Sequence, residues 1–317
     1  MKKSKLLSVA IILFTVALWG CSEENEMDNK EKGQLSVKIT DAPSDDANVQ
    51  GTFITVLDVK VDGESVENFT KQTIEISAYQ QGDAKLLITE DIEAKSYNSI
   101  SIVLDHESDV SGNSPGSYVL TNDGKKHRLS VESEMQSEIT FQKNFGIETN
   151  GQTSLVIDFD LRKAITRDTE SSTESEYKFV TSAELQNSVR IVTEDNSGEI
   201  KGDVSGWIDS DNQLYVFAYK KGEYDSASET SGQGTSNVLF ASAVTSAKVQ
   251  ADGSYTLSFL EEGDYEVHVA AFQKSNSWVN FNTMLEATSN ITGLLLNDIS
   301  VSSETSVKVD INIVGLM

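Results

Sequence analysis

The chain has 317 residues, with 50 Asp+Glu against 25 Lys+Arg and a formal net charge of −25 at pH 7. That charge repels nucleic-acid phosphates and argues against a nucleic-acid partner. One Cys, two Pro and a hydrophobic fraction of 38% exclude a disulfide scaffold and a proline-rich fibre.

The first 20 residues have the layout of a secretory signal: Lys2, Lys3 and Lys5, an uncharged core from Leu6 to Trp19, then Gly20 before Cys21. The core is shorter than the roughly 20 apolar residues of a membrane span, and the acidic Ser22-Glu23-Glu24 follows it. Leu18-Trp19-Gly20-Cys21 resembles a bacterial lipobox, which implies lipidation (diacylglyceryl and palmitate-type acyl chains) at Cys21. Several chains, at about 0.8 kcal/mol per buried methylene, hold a protein on a bilayer durably. Residues 1–20 hold three of the 25 basic residues and none of the 50 acidic ones, so the processed chain carries about −28. Residues 21–32 read as a lipidated acidic spacer with almost nothing apolar to bury. Its acidic start resembles the export signal of some Bacteroidetes lipoproteins, which implies the outer membrane as location, with the chain facing outward.

From Gly33 onward apolar and polar residues alternate, as in Leu35, Val37 and Ile39 against Ser36, Lys38 and Thr40, the pattern of a half-buried strand. Further strands are expected at 52–61, 72–78, 100–104, 117–120, 127–131, 138–141, 153–161, 177–181 and 189–192, with a helical turn within 85–94. Asp62-Gly63 and Asn122-Asp123-Gly124 are hairpin turn signals. The fold class read from this is all-β, two antiparallel β-sandwich domains in tandem behind the signal and spacer. Their expected bounds are 33–193 and 200–317, with a polar linker at 194–199.

Three stretches carry a resemblance. Gly33-Gln34-Leu35-Ser36-Val37-Lys38-Ile39-Thr40-Asp41-Ala42-Pro43, Tyr97-Asn98-Ser99-Ile100-Ser101-Ile102-Val103-Leu104 and Leu155-Val156-Ile157-Asp158-Phe159-Asp160-Leu161 follow in the order of a bacterial and archaeal family. The region from Gly33 to about Val192 resembles that family, domain of unknown function 4382, which implies a β-rich extracytoplasmic module and no established activity. Later, Asp252-Gly253-Ser254-Tyr255 through Gly263-Asp264-Tyr265-Glu266-Val267 resembles the core hairpin of prealbumin-like modules such as the carboxypeptidase regulatory-like domain, which implies a spacer or stabiliser. Tyr255, Leu257 and Phe259 are expected to form one inward row, and Tyr265, Val267, Val269 and Ala271 the opposing one. The strand 307–313 is expected to close that sandwich.

Chemistry-bearing residues are few. Asp41 of Thr40-Asp41-Ala42-Pro43 reads as an Asx turn leading into a proline-fixed corner. With Asp45 and Asp46 it also offers oxygens to a Ca2+ ion, although the spacing is not that of a dedicated loop, and no other cofactor is expected. Asp158 and Asp160, two apart on a strand, share one face about 7 Å apart. They are either an acid and base pair or the polar face of an outer strand. His106, His127 and His268 are scattered, with His268 expected on a solvent face. Lys220–Ser236 reads as a flexible or binding loop, and its Asp225-Ser226-Ala227 resembles a Bacteroidetes O-glycosylation acceptor. In Leu214–Tyr219 both faces are apolar or aromatic, as in a central strand covered on both sides. Trp278, Phe281 and Asn280 form a candidate glycan site, since sugar faces stack on aromatic rings; the alternative is that these rings cover the end of the sandwich. The function read from the sequence is a non-catalytic, surface-exposed binding, adhesion or scaffold lipoprotein. Its partners would be the membrane through the lipid and a polysaccharide or surface protein. The alternative is a carboxylate-dependent hydrolase acting on an extracellular polymer.

Overall fold

A computed structural model describes residues 30–46, 48–131, 136–167, 177–207, 211–274 and 279–317, except for the side chains of 274, 279 and 280. Cys21 and Trp278, and the side chain of Asn280, lie outside the described residues. Strands dominate, as the alternation predicts, and none of the described helices is long and apolar enough to cross a membrane.

The first sandwich packs two sheets. One has the order Val189–Thr193, Gln152–Asp160, Lys32–Ala42, Lys85–Glu93. The other runs Lys126–Arg128, Tyr118–Thr121, Val49–Val61, Ser96–Asp105, Gln136–Gly146, with two short strands also paired to Val49–Val61. Leu35, Val37, Ile39, Leu155, Ile157 and Phe159 pack in one core with Ile54, Val56, Ile100, Ile102 and Leu104, and every one of them is fully buried. At about 25 cal/mol per Å² of apolar surface removed from water, such side chains supply most of the drive to fold. At the Asp62-Gly63 turn both residues have positive φ, 48° and 84°, the handedness that a tight hairpin needs.

Three expectations change here. Lys32–Ala42 and Gln152–Asp160 pair in parallel, Val37 opposite Leu155 and Thr40 opposite Asp158, because the long stretch between them, which holds the strands of the other sheet and the edge strand of this one, brings the chain back to the same end. Residues 85–94 are not a helical turn but the edge strand Lys85–Glu93, paired antiparallel to Lys32–Ala42. The polar stretch 194–199 is not a free linker. Glu194–Asn196 forms a 3-10 turn, Ser197 and Gly198 begin the next strand, and Glu194 accepts hydrogen bonds from Lys38 Nζ (2.6 Å) and Ser154 Oγ (2.6 Å).

The second sandwich is built on one path of strands: Thr245–Lys248, Asn212–Lys220, Gly263–Lys274, Val279–Ser289, Ile311–Leu316, Ser197–Ser205, Ser254–Glu261. The two end strands touch, so the path folds back on itself around Leu214, Val216, Leu257, Val267, Val269 and Ile311. Ser254–Glu261 and Gly263–Lys274 do not pair as a hairpin. The first bonds to Ser197–Ser205 and the second to Asn212–Lys220 and Val279–Ser289. The expected inward row also breaks at Phe259, which is only half-buried with φ +54°, while fully buried Leu260 takes the inward place. The ladder shifts register there, between Gly198 and Ile200.

Tyr215, Phe217 and Tyr219 lie on the other face of their strand and are buried too, as the two-sided apolar pattern predicts. Phe217 stacks on Phe240 with ring centroids 4.3 Å apart, and Phe272 and Met284 complete this third core. Residues 220–236 are therefore not a loose loop. They fold over these rings, anchored by Glu229, which is 1% exposed. Glu229 accepts from Tyr219 Oη (3.0 Å), Gln233 Nε2 (2.8 Å) and Ser242 N (3.2 Å). A buried carboxylate needs such partners, and here the segment itself supplies one of them, Gln233, while Tyr219 and Ser242 flank it on either side. Residues 31–317 cluster as one unit.

Candidate functional site

Asp158 and Asp160 end the strand Gln152–Asp160, whose other face carries Leu155, Ile157 and Phe159 into the core. Their face is not open to solvent, as an outer strand would have it: both are 4% exposed, covered by the second sandwich. Asp158 sits opposite Arg190 in the antiparallel ladder, and Arg190 Nη2 reaches its Oδ2 at 2.5 Å. The same guanidinium donates to the carbonyls of Phe259 (2.6 Å) and Ser258 (3.2 Å) in the second sandwich. Burial pushes the Asp158 carboxyl above its ordinary range, and Arg190 opposes the shift.

Asp160 caps the short helix Leu161–Ala164, accepting from Lys163 N at 3.3 Å. Its Oδ2 also lies 3.1 Å from Arg162 Nη2 and 3.3 Å from Lys163 Nζ. Both bases continue into the second sandwich. Arg162 donates to the carbonyls of Leu239 and Phe240 (3.1 Å to the latter) and lies over the Phe217 ring at 5.3 Å, while Lys163 Nζ donates to Ala243 O at 2.9 Å. Asp158 and Asp160 thus begin two chains of charge-assisted bonds that cross between the sandwiches. A buried pair of this kind adds little net stability, but breaking one half is costly.

Asp41 is 5% exposed in the parallel neighbour strand. It does not close an Asx turn on its own corner. Its Oδ2 accepts from Gln80 Nε2 (2.9 Å) and its Oδ1 from Leu161 N (3.4 Å). Desolvation pushes this carboxyl well above its ordinary range, Gln80 opposes, and Asp158 and Asp160 add to the rise. Asp46 is held by Arg167 (2.7 and 2.9 Å) and Tyr177 Oη (3.1 Å). Asp45 and Asp46 line one cleft, while Asp41 lines a separate small cavity with Asp158 and Ser246. Among the described residues no cluster of three His, Cys, Asp or Glu side chains is arranged to hold a metal.

Phe281 meets the edges of Phe240 (5.3 Å) and Phe272 (5.9 Å), so part of its ring is already engaged. His268 is not on a solvent face: Tyr224 stacks on it at 3.7 Å and Glu266 Oε2 lies 3.2 Å from its Nε2. Desolvation lowers its pKa, with Glu266 opposing. His106 is fully buried between Ser117 and Ser137 Oγ, and burial pushes it down to about 4. Ser226 of the glycosylation-like tripeptide is exposed, and Asp225 caps the turn by accepting from Ser228 N at 2.9 Å. Sequence reasoning passed over Arg162, Lys163, Arg190, Glu229 and Tyr224. One signal was present: Arg162 shares the parity of Asp158 and Asp160.

The fold and site define an all-β protein of two sandwiches joined by hydrogen bonds from the ion-paired Arg162, Lys163 and Arg190 of the first to backbone carbonyls of the second. Within it, residues 32–180 match the model of one family, Domain of unknown function (DUF4382). No curated protein matches the chain. Solved structures similar to it include the Bacillus anthracis TIE protein, with 13% identity, 90% of this chain and 34% of that one covered, and a TM-score of 0.18. The minor pilin GBS52 of Streptococcus agalactiae has 12% identity, 90% and 97% coverage and a TM-score of 0.20. A Bacteroides fragilis protein described as a candidate cell adhesion protein has 10% identity, 90% and 93% coverage and a TM-score of 0.19. The chain spans about a third of the TIE protein's length.

Proposed function

We propose that this protein is a non-catalytic binding, adhesion or scaffold module on the cell surface. It is anchored in the outer membrane by lipid on Cys21, faces outward, and is held off the bilayer by the acidic spacer of residues 21–32. The observation that carries the non-catalytic reading is the use made of Asp158 and Asp160. A general acid and base must reach a substrate proton, whereas these two carboxylates are buried and committed to Arg190, Arg162 and Lys163. The covering of His268 and His106 supports the same reading. The partner is a surface polysaccharide or protein, and the bonds between the two sandwiches would let the module transmit a tether's pull without opening.

Purified full chain, applied to a glycan and surface-protein array with product analysis, tests this directly. Retention of a partner with no released product is expected. Release of sugar or peptide would overturn the non-catalytic reading. Labelling with an alkyne fatty acid should mark the wild type and not Cys21→Ser, and equal labelling of both would overturn the lipid anchor.

A further inference from the structure

The first sandwich leaves one side of its edge strand Lys85–Glu93 unpaired over part of its length. Ala94 N donates to Glu31 O at 2.7 Å, which sets the parity of the ladder. The main chain of Glu90 and Ile92 points to Lys32–Ala42, and that of Thr89, Asp91 and Glu93 points away from it. On this outward side Gln72 Nε2 donates to Leu87 O (2.7 Å) and Tyr97 Oη to Glu93 O (2.8 Å). Between those two bonds the main-chain N–H and C=O groups of Thr89 and Asp91 have no partner among the described residues, and both residues are exposed. A row of this kind is a template for one more strand.

Beside this edge a cleft of about 290 Å³ opens between the strand and the hairpin through Asp62-Gly63. Part of its lining is apolar: Val61, Val66 and Tyr97 are each 7% exposed, and Ile92 is half-buried. The same lining holds six carboxylates against two lysines. Lys95 pairs with Glu93 at 2.9 Å, whereas Glu64, Glu67, Glu90 and Asp91 form no ion pair among the described residues. A lysine or arginine side chain suits both parts, with its stem on the apolar wall and its charged head among the carboxylates. We propose that the edge at Thr89 to Glu93 takes up an extended basic segment of a partner protein as an added strand. Main-chain bonds to Thr89 and Asp91 hold the segment, and the carboxylates select its charge. Like charge disfavours two other occupants. A second copy would set Glu90, Asp91 and Glu93 against their own equivalents, and the acidic spacer enters the fold at Lys32, on the same cleft. This rests on the binding-module reading above and names the partner class for it.

Fluorescence anisotropy on the full chain carrying Cys21→Ser tests this with three labelled peptides: alternating Lys and Val, alternating Glu and Val, and the Lys and Val peptide N-methylated throughout. The first should bind, more weakly as salt is raised, and the other two should bind at least about tenfold more weakly. Asp91→Asn should weaken binding of the first several-fold. Asp91→Pro removes an outward N–H and spares the ladder to Lys32–Ala42, so it should weaken binding about fivefold more. Matching melting temperatures check that both variants fold, and Glu304→Gln on the second sandwich is the control that leaves binding unchanged. Silence from the Lys and Val peptide, equal binding of its N-methylated form, or equal loss in Asp91→Asn and Asp91→Pro would overturn the edge as a strand acceptor. Equal binding of the Glu and Val peptide would overturn the basic partner. A dimer in sedimentation that Asp91→Pro dissolves would give the edge to a second copy and overturn the proposal as well. Cleavage of a bound peptide would instead sink the non-catalytic reading and leave the edge standing.

Discussion

Replacing Arg190 by Met removes the charge from one bond chain between the sandwiches while keeping most of its apolar stem. Asp158 would lose its 2.5 Å partner at a site where it is 4% exposed, and the carbonyls of Ser258 and Phe259 would lose a donor. Breaking a buried pair costs about 3–5 kcal/mol, and each orphaned carbonyl adds about 1 kcal/mol. The Arg190 side chain is 23% exposed, so solvent takes up part of the loss. A net cost of about 3–4 kcal/mol at pH 7.5 follows. Burial already raises the Asp158 pKa, and without Arg190 it climbs further. A carboxyl raised in the folded state contributes stability below its unfolded pKa and loses it as pH rises through the folded value. The Arg190→Met penalty should therefore shrink as pH falls toward 4.

Guanidinium unfolding of Arg190→Met and of the double variant Arg190→Met/Asp158→Asn, at pH 7.5 and pH 5, measures this. Removing the orphaned charge should recover about 2 kcal/mol of the loss. A single-variant cost below about 1 kcal/mol, the range of exposed pairs, would refute the reasoning. So would strict additivity in the double variant.

Other changes test separate parts of the structure. Glu229→Ala should cost about 3 kcal/mol and speed amide exchange across residues 220–243 while sparing the first sandwich, as read by hydrogen-exchange mass spectrometry. Asp41→Asn should raise the melting temperature at pH 7.5 and remove part of the gain seen on acidification, because a raised carboxyl penalises the folded state only when ionised. Glu184 joins a capping box to Ser236 of the second sandwich at 2.9 and 2.6 Å. Desolvation raises its pKa, but those bonds outweigh it and hold the carboxyl down at about 2. Its contribution is present above pH 4.5 and lost as pH falls toward 2, so Glu184→Gln should flatten the stability profile in that window in urea titrations. At Gly202 an added Cβ would meet the Val309 carbonyl oxygen. Gly202→Ala should therefore lower the melting temperature by several degrees, read by circular dichroism.

Alternation made most strands legible, and it located the inward rows of Leu35, Val37 and Ile39 and of Tyr265, Val267 and Val269. The doubly apolar strand through Tyr215 was equally plain, since nothing but two-sided burial explains such a pattern. Alternation failed where a bulge reset it, at Phe259. It could not report the parallel pairing of residues 32–42 with 152–160, which depends on the path between them. Composition misjudged residues 220–236 because one carboxylate, Glu229, holds a polar segment in place over rings that lie elsewhere in the sequence. The face of Asp158 and Asp160 was readable as shared, but its burial depends on a second sandwich that the local sequence does not announce.

The most direct test of the locked pair of sandwiches is differential scanning calorimetry of the full chain beside Arg162→Met/Arg190→Met. The wild type should melt in one transition with equal calorimetric and van't Hoff enthalpies, and the double variant should separate into two. Two resolved transitions in the wild type would contradict the lock.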